Sequence, residues 1–455
     1  MKRILLVIVI FLPLQLLAQY NWQTLSNAPA SWRYDDVYFI NPDIGWAIHG
    51  SYYYGAYSSL PTHQYGQVWE TRNGGNTWQL RHDSASAFYR CVGFTDSLNG
   101  WIGNLADSTI TPDTIPFYQT NDGGKTLTPV TLPSPRPKGV CGISVINDSI
   151  IYAYGRYFGP AILLKTINKG VTWTTQNMNA YATGLVDAHF FDKDTGFITG
   201  CNGNNGLILN TTDGGITWKT VYQGARNDTE IVWKIFFPSR DTGYASIEYV
   251  GPNYFANKAY RTYFIKTIDG GKTWTEHPFI NNYDEEGIGF INDTVGWIGG
   301  SISQDTYITY NGGNTWQKDY GFGTVLSPIS NPGFAINRFR KFGDTLMYAS
   351  GNTEYKLSGK ITSVNNLQNN SPLSINYPNP FIEQTTIYYK LTSTCTNVNV
   401  YVSNLLGEKV LSQNLGAQYT GEHKFVLDIP LPAGIYYYTI VAGDYTVTRK
   451  LVKVN

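Results

Sequence analysis

Two pairs of adjacent carboxylates are the residues of this chain that could carry out acid–base chemistry. Asp35–Asp36 and Glu285–Glu286 each lie where the sequence predicts the start of a strand. Two carboxylates held about 5 to 10 Å apart across a glycosidic bond can hydrolyse it. Neighbouring strand residues point to opposite faces of a sheet, so only one member of each pair can face a common site. The candidate catalytic residues are Asp35 and Glu286.

Other catalytic and cofactor signatures are absent from the sequence. It has no G-x-S-x-G nucleophile elbow and no Gly-rich phosphate loop, and its six His residues form no metal-binding cluster. We therefore expect no cofactor and no metal. The 33 Lys and Arg residues balance 33 Asp and Glu residues. A neutral chain with so few cations is not expected to bind nucleic acid.

Aromatic side chains offer a second kind of chemistry, which is binding. Phe, Trp and Tyr make up 15% of the chain, with 35 Tyr residues among them. Many fall in two predicted loops, 51–66 and 248–263, where they suit sugar stacking or protein contact, or alternatively cover a hydrophobic rim. The candidate binding residues combine these aromatics with charged residues from three strand starts: Tyr52, Tyr53, Tyr54, Tyr57, Tyr254 and Phe255, with Arg90, Asp187 and Lys234.

A repeated octapeptide supplies the elements that must position these residues. Six copies begin at positions 71, 120, 166, 211, 267 and 309, and most read T-x-(D/N)-G-G-x-T-W. Such a period in a β-rich chain is typical of propeller blades. The Gly pair allows a tight turn with positive φ, and Thr and Trp then restart a strand. We interpret the third residues as structural, since half are neutral and suit Ca²⁺ poorly: Asn73, Asp122, Asn168, Asp213, Asp269 and Asn311.

A second motif alternates with the first and raises the number of repeats to seven. An aromatic residue is followed six residues later by Gly and another aromatic, as in Phe39/Gly45–Trp46, and two degenerate copies start at Val145 and Phe342. The seventh repeat lacks an octapeptide, whereas Asn21–Leu25 resembles the strand that follows each octapeptide. We therefore predict that the N-terminal strand closes the last blade, because closure removes exposed strand edges.

The predicted fold is all-β: a seven-bladed β-propeller over residues 19–360, followed by a small Ig-like β-sandwich. In a propeller the loops from strand D to A and from strand B to C share one face, here called the upper face. The candidate site residues belong to this face and to the mouth of the central channel. The octapeptides, as C–D turns, belong to the opposite, lower face.

The octapeptides resemble the Asp-box (BNR-like) repeats of sialidases, sortilin-type receptors, xyloglucanases and photosystem II assembly factors. The resemblance covers about three-quarters of the chain and implies the propeller fold, which hosts both hydrolases and binding proteins. A sialidase carries Arg-Ile-Pro near the first strand, whereas Trp32-Arg33-Tyr34 stands here. Xyloglucanases of this family use two propellers, and this chain has one.

The last eighty residues resemble another family. After a polar linker, 361–375, the motifs Tyr377-Pro-Asn-Pro-Phe381, Leu431-Pro-Ala-Gly-Ile-Tyr436 and Lys450-Leu-Val-Lys453 follow in order among alternating strands. They are similar to the type A C-terminal sorting domain of type IX secretion substrates from Bacteroidetes-like bacteria. The resemblance implies that residues 376–455 bind the type IX secretion machinery; an ordinary Ig-like binding module is the alternative.

The N-terminus and the cysteines agree with export. Met1-Lys2-Arg3 precedes an apolar run, and residues 1–18 are typical of a secretory signal peptide, with no integral membrane segment expected in the mature chain. The four cysteines lack metal-ligand spacing. A Cys91–Cys141 disulfide and buried free thiols are the two alternatives for the first pair.

These observations favour a secreted or cell-surface propeller that binds a protein or a glycan without catalysis. A glycoside hydrolase, sialidase-like or otherwise exo-acting, with carboxylates at the channel mouth, is the first alternative. An envelope assembly or adhesion factor is the second.

Overall fold

The computed structural model describes most of the chain in two compact units, Met1–Ile361 and Thr362–Asn455. The described residues are 20–25, 27–28, 34–50, 66–106, 112–157, 159–226, 229–249, 263–279, 285–300, 305–319, 336–343, 345–359, 374–391, 393–404, 407–428, 430–443 and 445–454. The predicted signal peptide lies outside them. Within these ranges, no helix is long and apolar enough to span a membrane.

The first unit is a seven-bladed propeller, as the sequence predicts, and each blade is a four-stranded antiparallel sheet. Blade 1 is formed by β2 (Asp36–Phe39), β3 (Gly45–Gly50), β4 (Gly66–Thr71) and β5 (Gln79–Ser84). Blade 2 is formed by β6 (Tyr89–Phe94), β7 (Gly100–Asn104), β8 (Phe117–Thr120) and β9 (Thr128–Pro129). Blade 3 is formed by β10 (Gly142–Val145), β11 (Ile151–Gly155), β12 (Ile162–Thr166) and β13 (Thr174–Asn177).

Blades 4 to 6 repeat the same order. Blade 4 is formed by β14 (Gly184–Phe190), β15 (Gly196–Asn202), β16 (Asn205–Thr211) and β17 (Lys219–Gln223). Blade 5 is formed by β18 (Glu230–Phe236), β19 (Gly243–Tyr249), β20 (Tyr263–Thr267) and β21 (Thr275–Pro278). Blade 6 is formed by β22 (Glu285–Phe290), β23 (Gly296–Gly300), β24 (Thr306–Thr309) and β25 (Gln317–Asp319).

Blade 7 joins the two ends of the propeller. Its inner strands are β26 (Arg338–Phe342), β27 (Leu346–Ser350) and β28 (Glu354–Gly359), and its outermost strand is the N-terminal β1 (Tyr20–Thr24). Trp22 lies opposite Leu357 in the β1–β28 register. The N-terminal strand therefore closes the ring, as predicted, and it pairs with the outer edge of β28.

The aromatic–glycine motif holds neighbouring blades together. The ring of Phe39 lies over Gly45 of its own hairpin, where an added Cβ would meet the ring at 2.4 Å. The same ring stacks on the strand-B aromatic of the preceding blade, and five blade interfaces share this arrangement: Phe39–Tyr348, Trp46–Phe94, Tyr152–Phe190, Phe197–Phe237 and Tyr244–Phe290. Glycine is required in the motif because the ring leaves no room for a side chain.

The octapeptides form side-chain-capped turns. In the third copy the Thr166 hydroxyl accepts the Gly170 amide at 3.0 Å, and Asn168 Oδ1 accepts the Thr172 amide at 2.9 Å. Asn168 Nδ2 donates to the Thr172 hydroxyl, whereas in the fourth copy the Thr217 hydroxyl donates to Asp213. Since the hydroxyl can donate or accept, either Asn or Asp completes the turn.

We expect Asn168→Ala to destabilise the propeller and Asn168→Asp to be tolerated. Alanine removes the acceptor for the Thr172 amide, which costs about 1 kcal/mol by analogy with helix caps. Aspartate keeps that acceptor, and the Thr172 hydroxyl turns to donate. Thermal unfolding of the two variants measures this difference. Equal losses of stability would contradict the assigned role of this position.

The second unit is a small β-sandwich. A three-stranded sheet contains β29 (Ser374–Tyr377), β30 (Gln384–Leu391) and β33 (Gly421–Asp428). A four-stranded sheet contains β31 (Cys395–Asn404), β32 (Lys409–Gln418), β34 (Gly434–Ala442) and β35 (Tyr445–Lys453). Strand β29 begins two residues inside the predicted linker. Alternating residues such as Val398, Val400 and Val402 fill the core between the sheets.

The cysteines are free in the structure, and Cys91, Cys141 and Cys201 are buried. The structure thus has the buried thiols and not the Cys91–Cys141 disulfide. Burial raises the pKa of Cys91 and of Cys141, so neither thiol is poised as a nucleophile.

Candidate functional site

The charged residues predicted at the strand starts lie in the central channel, and all of them are buried. Asp35, Arg90, Asp187, Lys234 and Glu286 are each no more than 6% exposed. Each belongs to, or directly precedes, the innermost strand of a different blade. Burial of so many charges requires partners within the protein.

Asp187 and Arg338 form an ion pair across the channel. Asp187 is on β14 of blade 4 and Arg338 on β26 of blade 7, and Arg338 Nη1 lies 2.9 Å from both carboxylate oxygens. Asp187 Oδ2 also accepts the Ile235 amide at 3.1 Å. Burial alone would raise the pKa of Asp187, but Arg338 and Lys234 hold it below its usual range. The carboxylate is therefore ionised and satisfied by protein groups.

A second network joins blades 7 and 1. Arg338 Nε and Arg340 Nη2 each lie 3.2 Å from Asp36 Oδ1. Asp36 Oδ2 accepts the Val92 amide of blade 2 at 3.2 Å. One carboxylate thus links three consecutive blades at the channel wall.

Asp35, one of the two candidate catalytic residues, is paired with Arg90. Arg90 Nη1 donates to Asp35 Oδ1 at 2.6 Å. The guanidinium lies 5.7 Å from the Phe88 ring and 6.0 Å from the rings of Tyr157 and Trp233. These aromatic rings favour the cation in its buried position.

Glu286, the other candidate, accepts a hydrogen bond from a buried indole. Trp233 Nε1 donates to Glu286 Oε2 at 2.9 Å. The main-chain oxygen of Glu286 accepts the Ser246 hydroxyl at 2.7 Å. The structure therefore brings neither Asp35 nor Glu286 to an exposed surface. A catalytic role for them, and ligand contact by Arg90, Asp187 and Lys234, stay predictions.

The candidate aromatic residues of the upper face lie outside the described residues. They are Tyr52, Tyr53, Tyr54, Tyr57, Tyr254 and Phe255. The six third-position residues of the octapeptides are described and form the turns above. Sequence reasoning missed Arg338, Arg340 and Trp233 in the channel. The alternation in Arg338-Phe339-Arg340, which places both Arg side chains on one face of a strand, is the signal that could have found the first two.

A pocket of about 520 Å³ opens between blades 1 and 2. Strand β5, the loop after it and the B–C loop of blade 2 supply its upper part, so it extends from the upper face into the groove between the blades. Its described lining is His82, Ser84, Ser86, Tyr89, Pro112, Asp113, Thr114, Tyr118 and Leu127. The volume falls within the range of small-ligand sites, about 300 to 1,000 Å³.

Hydrogen bonds fix the polar groups of this pocket. Tyr118 donates its hydroxyl proton to Asp113 Oδ2 at 2.7 Å, and Asp113 Oδ1 accepts the Ile115 amide at 2.8 Å. Burial and the Asp113 carboxylate raise the pKa of Tyr118, so its hydroxyl stays protonated. The rings of Tyr89 and Tyr118 are nearly perpendicular, 6.4 Å between centroids. Two aromatic walls and an oriented carboxylate thus face one space.

The second unit matches a known domain in sequence, and its two ends are joined in the structure. Phe381 forms a bridge with Lys453, and Asn379 Oδ1 accepts the Val452 amide at 2.8 Å, so the start of the domain is bound to its end. Residues 376–454 match the secretion system C-terminal sorting domain. This sorting domain marks the chain for export by the type IX system, to the cell surface or into the medium. No curated protein matches the sequence.

Solved structures share the propeller fold at low sequence identity. YCF48 bound to D1 peptide is 15% identical with a TM-score of 0.54, over 76% of this chain and 99% of that one. YCF48 from Cyanidioschyzon merolae is 15% identical with a TM-score of 0.51, over 76% of this chain and 100% of that one. An ancestral GH74 enzyme is 14% identical with a TM-score of 0.50, over 95% of this chain and 64% of that one. These similarities establish the fold alone.

Proposed function

We propose that this chain is an exported propeller that binds a protein or a glycan through its upper face and catalyses no reaction on it. The observation that carries this proposal is the state of the channel carboxylates. Asp35 is held by Arg90 and Glu286 by Trp233, both within the buried interior. A general acid or base must reach the atom that it protonates or deprotonates, and these groups contact protein instead.

Two further observations support a binding role. The pocket between blades 1 and 2 opens toward the upper face, and its described lining contains one carboxylate, Asp113, and not the separated pair that glycoside hydrolysis uses. Among the propellers of similar fold, one was solved in complex with a peptide. Fold similarity also includes a hydrolase, so the experiment must measure turnover as well as binding.

The test presents purified full-length protein to glycan arrays and, immobilised, to extracellular proteins from a culture that produces it. Products released from chromogenic glycosides and from neutral oligosaccharides are measured in parallel. We expect retention of a ligand and no hydrolysis above that of a heat-unfolded sample.

Variants of the candidate carboxylates decide the alternative. The non-catalytic proposal would be overturned by glycosidase activity that is abolished by Glu286→Gln or Asp35→Asn. Asp194→Asn, at an exposed carboxylate, would have to leave that activity intact. Circular dichroism of each variant checks that a loss of activity is not a loss of fold.

A further inference from the structure

The groove between blades 1 and 2 is distinguished by the last residue of the blade 2 octapeptide. The last residue of each octapeptide packs into the groove toward the preceding blade. Trp173 of blade 3 lies 5.0 Å from Phe117 of blade 2, and Trp316 of blade 6 lies 5.5 Å from Phe264 of blade 5, both measured between ring centroids. Five octapeptides end in Trp, and the blade 2 copy ends in Leu127.

Leu127 lines the pocket at the position where the other blades have an indole. It packs partly buried against the core of blades 1 and 2. A leucine side chain is much smaller than a tryptophan side chain. Because the rest of the interior is closely packed, the smaller side chain leaves part of the groove unfilled. The pocket thus coincides with the one departure from the repeated Trp.

The lining favours a ligand that both donates and accepts hydrogen bonds. Ser84, Ser86 and Thr114 offer hydroxyl groups. His82 Nδ1 lies 3.3 Å from the Lys125 carbonyl. Because a carbonyl can only accept, this contact favours the tautomer in which Nδ1 donates and Nε2 accepts. Asp113 accepts the Ile115 amide through Oδ1 and the Tyr118 hydroxyl through Oδ2, and a carboxylate has about four acceptor positions.

The charge of the lining excludes one class of ligand. Asp113 is the only residue with a formal charge at neutral pH among the described lining residues, and it is negative. An anionic sugar or a phosphate would meet this carboxylate, and the described lining residues include no Lys or Arg to attract it. Aromatic walls and acceptor-rich polar groups together suit the alternating apolar and hydroxyl surfaces of a sugar ring.

We propose that the pocket between blades 1 and 2 is a binding site for a neutral sugar unit of a glycan, opened by the replacement of Trp by Leu127. The Tyr118 ring provides the stacking surface, and Asp113 accepts hydrogen bonds from sugar hydroxyls. This inference rests on the proposed binding function and specifies its substrate class. A lysine or arginine side chain of a protein partner is the competing occupant, because it also pairs with a carboxylate and aromatic rings.

Isothermal titration of the full chain with cellohexaose, laminarihexaose and mannohexaose tests the site. Sialyllactose serves as the anionic probe and tetralysine as the cationic one. We expect at least one neutral hexasaccharide to bind saturably. Tyr118→Ala should weaken that binding at least tenfold, and sialyllactose should not compete. Binding of tetralysine alone, or of sialyllactose alone, would overturn the neutral-sugar assignment.

Leu127→Trp is the decisive variant because tryptophan occupies this position in five other blades. We expect it to fill the pocket and abolish hexasaccharide binding while the melting temperature stays equal or rises. The matched control is Trp173→Leu, which changes the groove between blades 2 and 3, and should lower the melting temperature and leave binding unchanged.

The outcomes separate this inference from the proposed function. Saturable binding that Leu127→Trp and Tyr118→Ala both leave unchanged would overturn the pocket assignment, while the upper-face binding role would stand. Hydrolysis of a hexasaccharide would overturn the non-catalytic function. If Leu127→Trp then abolished hexasaccharide binding, the assignment of the binding site to the pocket would still be supported.

Discussion

Asp187→Asn is expected to lower the free energy of unfolding by about 3 kcal/mol, at the lower end of the cost of breaking a buried ion pair from one side. The substitution keeps the shape of the side chain and removes its charge, which leaves the buried Arg338 guanidinium with Asp36 as its remaining anionic partner. Arg338 is on the far side of the channel from blade 4, so the loss weakens contact between blades that are not neighbours.

Urea denaturation of the full chain, followed by tryptophan fluorescence, measures this effect. Asp194→Asn is the matched control, because Asp194 pairs with Lys193 at 2.6 Å but both side chains are at least half exposed. Removing an exposed pair costs less than about 1 kcal/mol. Equal shifts in the two variants would show that the channel pair contributes no more than a surface pair.

The same cluster makes stability depend on pH. The pKa of Asp187 lies below that of an unfolded aspartate, about 3.9, because Arg338 and Lys234 outweigh the effect of burial. The contribution is therefore complete above that value and is lost as the pH falls toward the folded-state pKa. Asp187→Asn should flatten the dependence of stability on pH below about 5, and an unchanged profile would contradict the pairing.

Trp22→Ala is expected to have the second large effect, a loss of about 3 to 5 kcal/mol, as for other buried aromatic residues. Trp22 is 5% exposed, and its ring packs edge to face on Trp297 of blade 6 at 5.4 Å and lies 5.8 Å from Phe339 of blade 7. Truncation removes the side chain that fixes the closing strand to the last two blades.

Trp78→Ala provides the comparison for this prediction. Trp78 also belongs to an outer strand region, but its side chain is only partly buried, so the same truncation should cost less. Limited proteolysis near residue 25 adds a readout specific to closure, since only Trp22→Ala should release β1. Equal stability losses without new cleavage at the N-terminus would contradict the role of β1 in closing the ring.

The propeller could be predicted from sequence because its signals are local. Each octapeptide encodes its own turn, from the Thr166 hydroxyl to the Gly170 amide in one example, and each aromatic–glycine pair encodes a close approach within one hairpin. The closing strand followed from counting, since seven inner hairpins with six boxes leave one outer strand to be supplied by Asn21–Leu25. Strand β29 was missed because it is a four-residue strand followed directly by Pro378.

The candidate site could be predicted only in part. Placement of Asp35, Asp187 and Glu286 near the channel follows from their position at the starts of inner strands. Their partners do not follow, because Arg338 is 151 residues from Asp187 in the sequence and meets it only when the ring has closed. Because the sequence does not show this pairing, it cannot distinguish charged residues that pair inside the protein from charged residues that act in catalysis.

The pocket between blades 1 and 2 was missed for a different physical reason. Sequence motifs are found by what they share, whereas this pocket coincides with what one copy lacks, the Trp replaced by Leu127. Comparing the last residues of the six octapeptides would have identified blade 2 as the exception at that position. The chemistry of Asp113 and Tyr118 depends on a hydrogen bond between a loop and a strand, which composition does not reveal.

Hydrogen–deuterium exchange of the full chain, with and without saturating concentrations of the neutral hexasaccharide that binds best, tests the central claim of upper-face binding most directly. We predict that protection appears in residues 82–89 and 112–118 and that the recovered hexasaccharide is intact. Protection confined to the octapeptide turns of the lower face, or recovery of a cleaved hexasaccharide, would contradict a non-catalytic propeller that binds through its upper face.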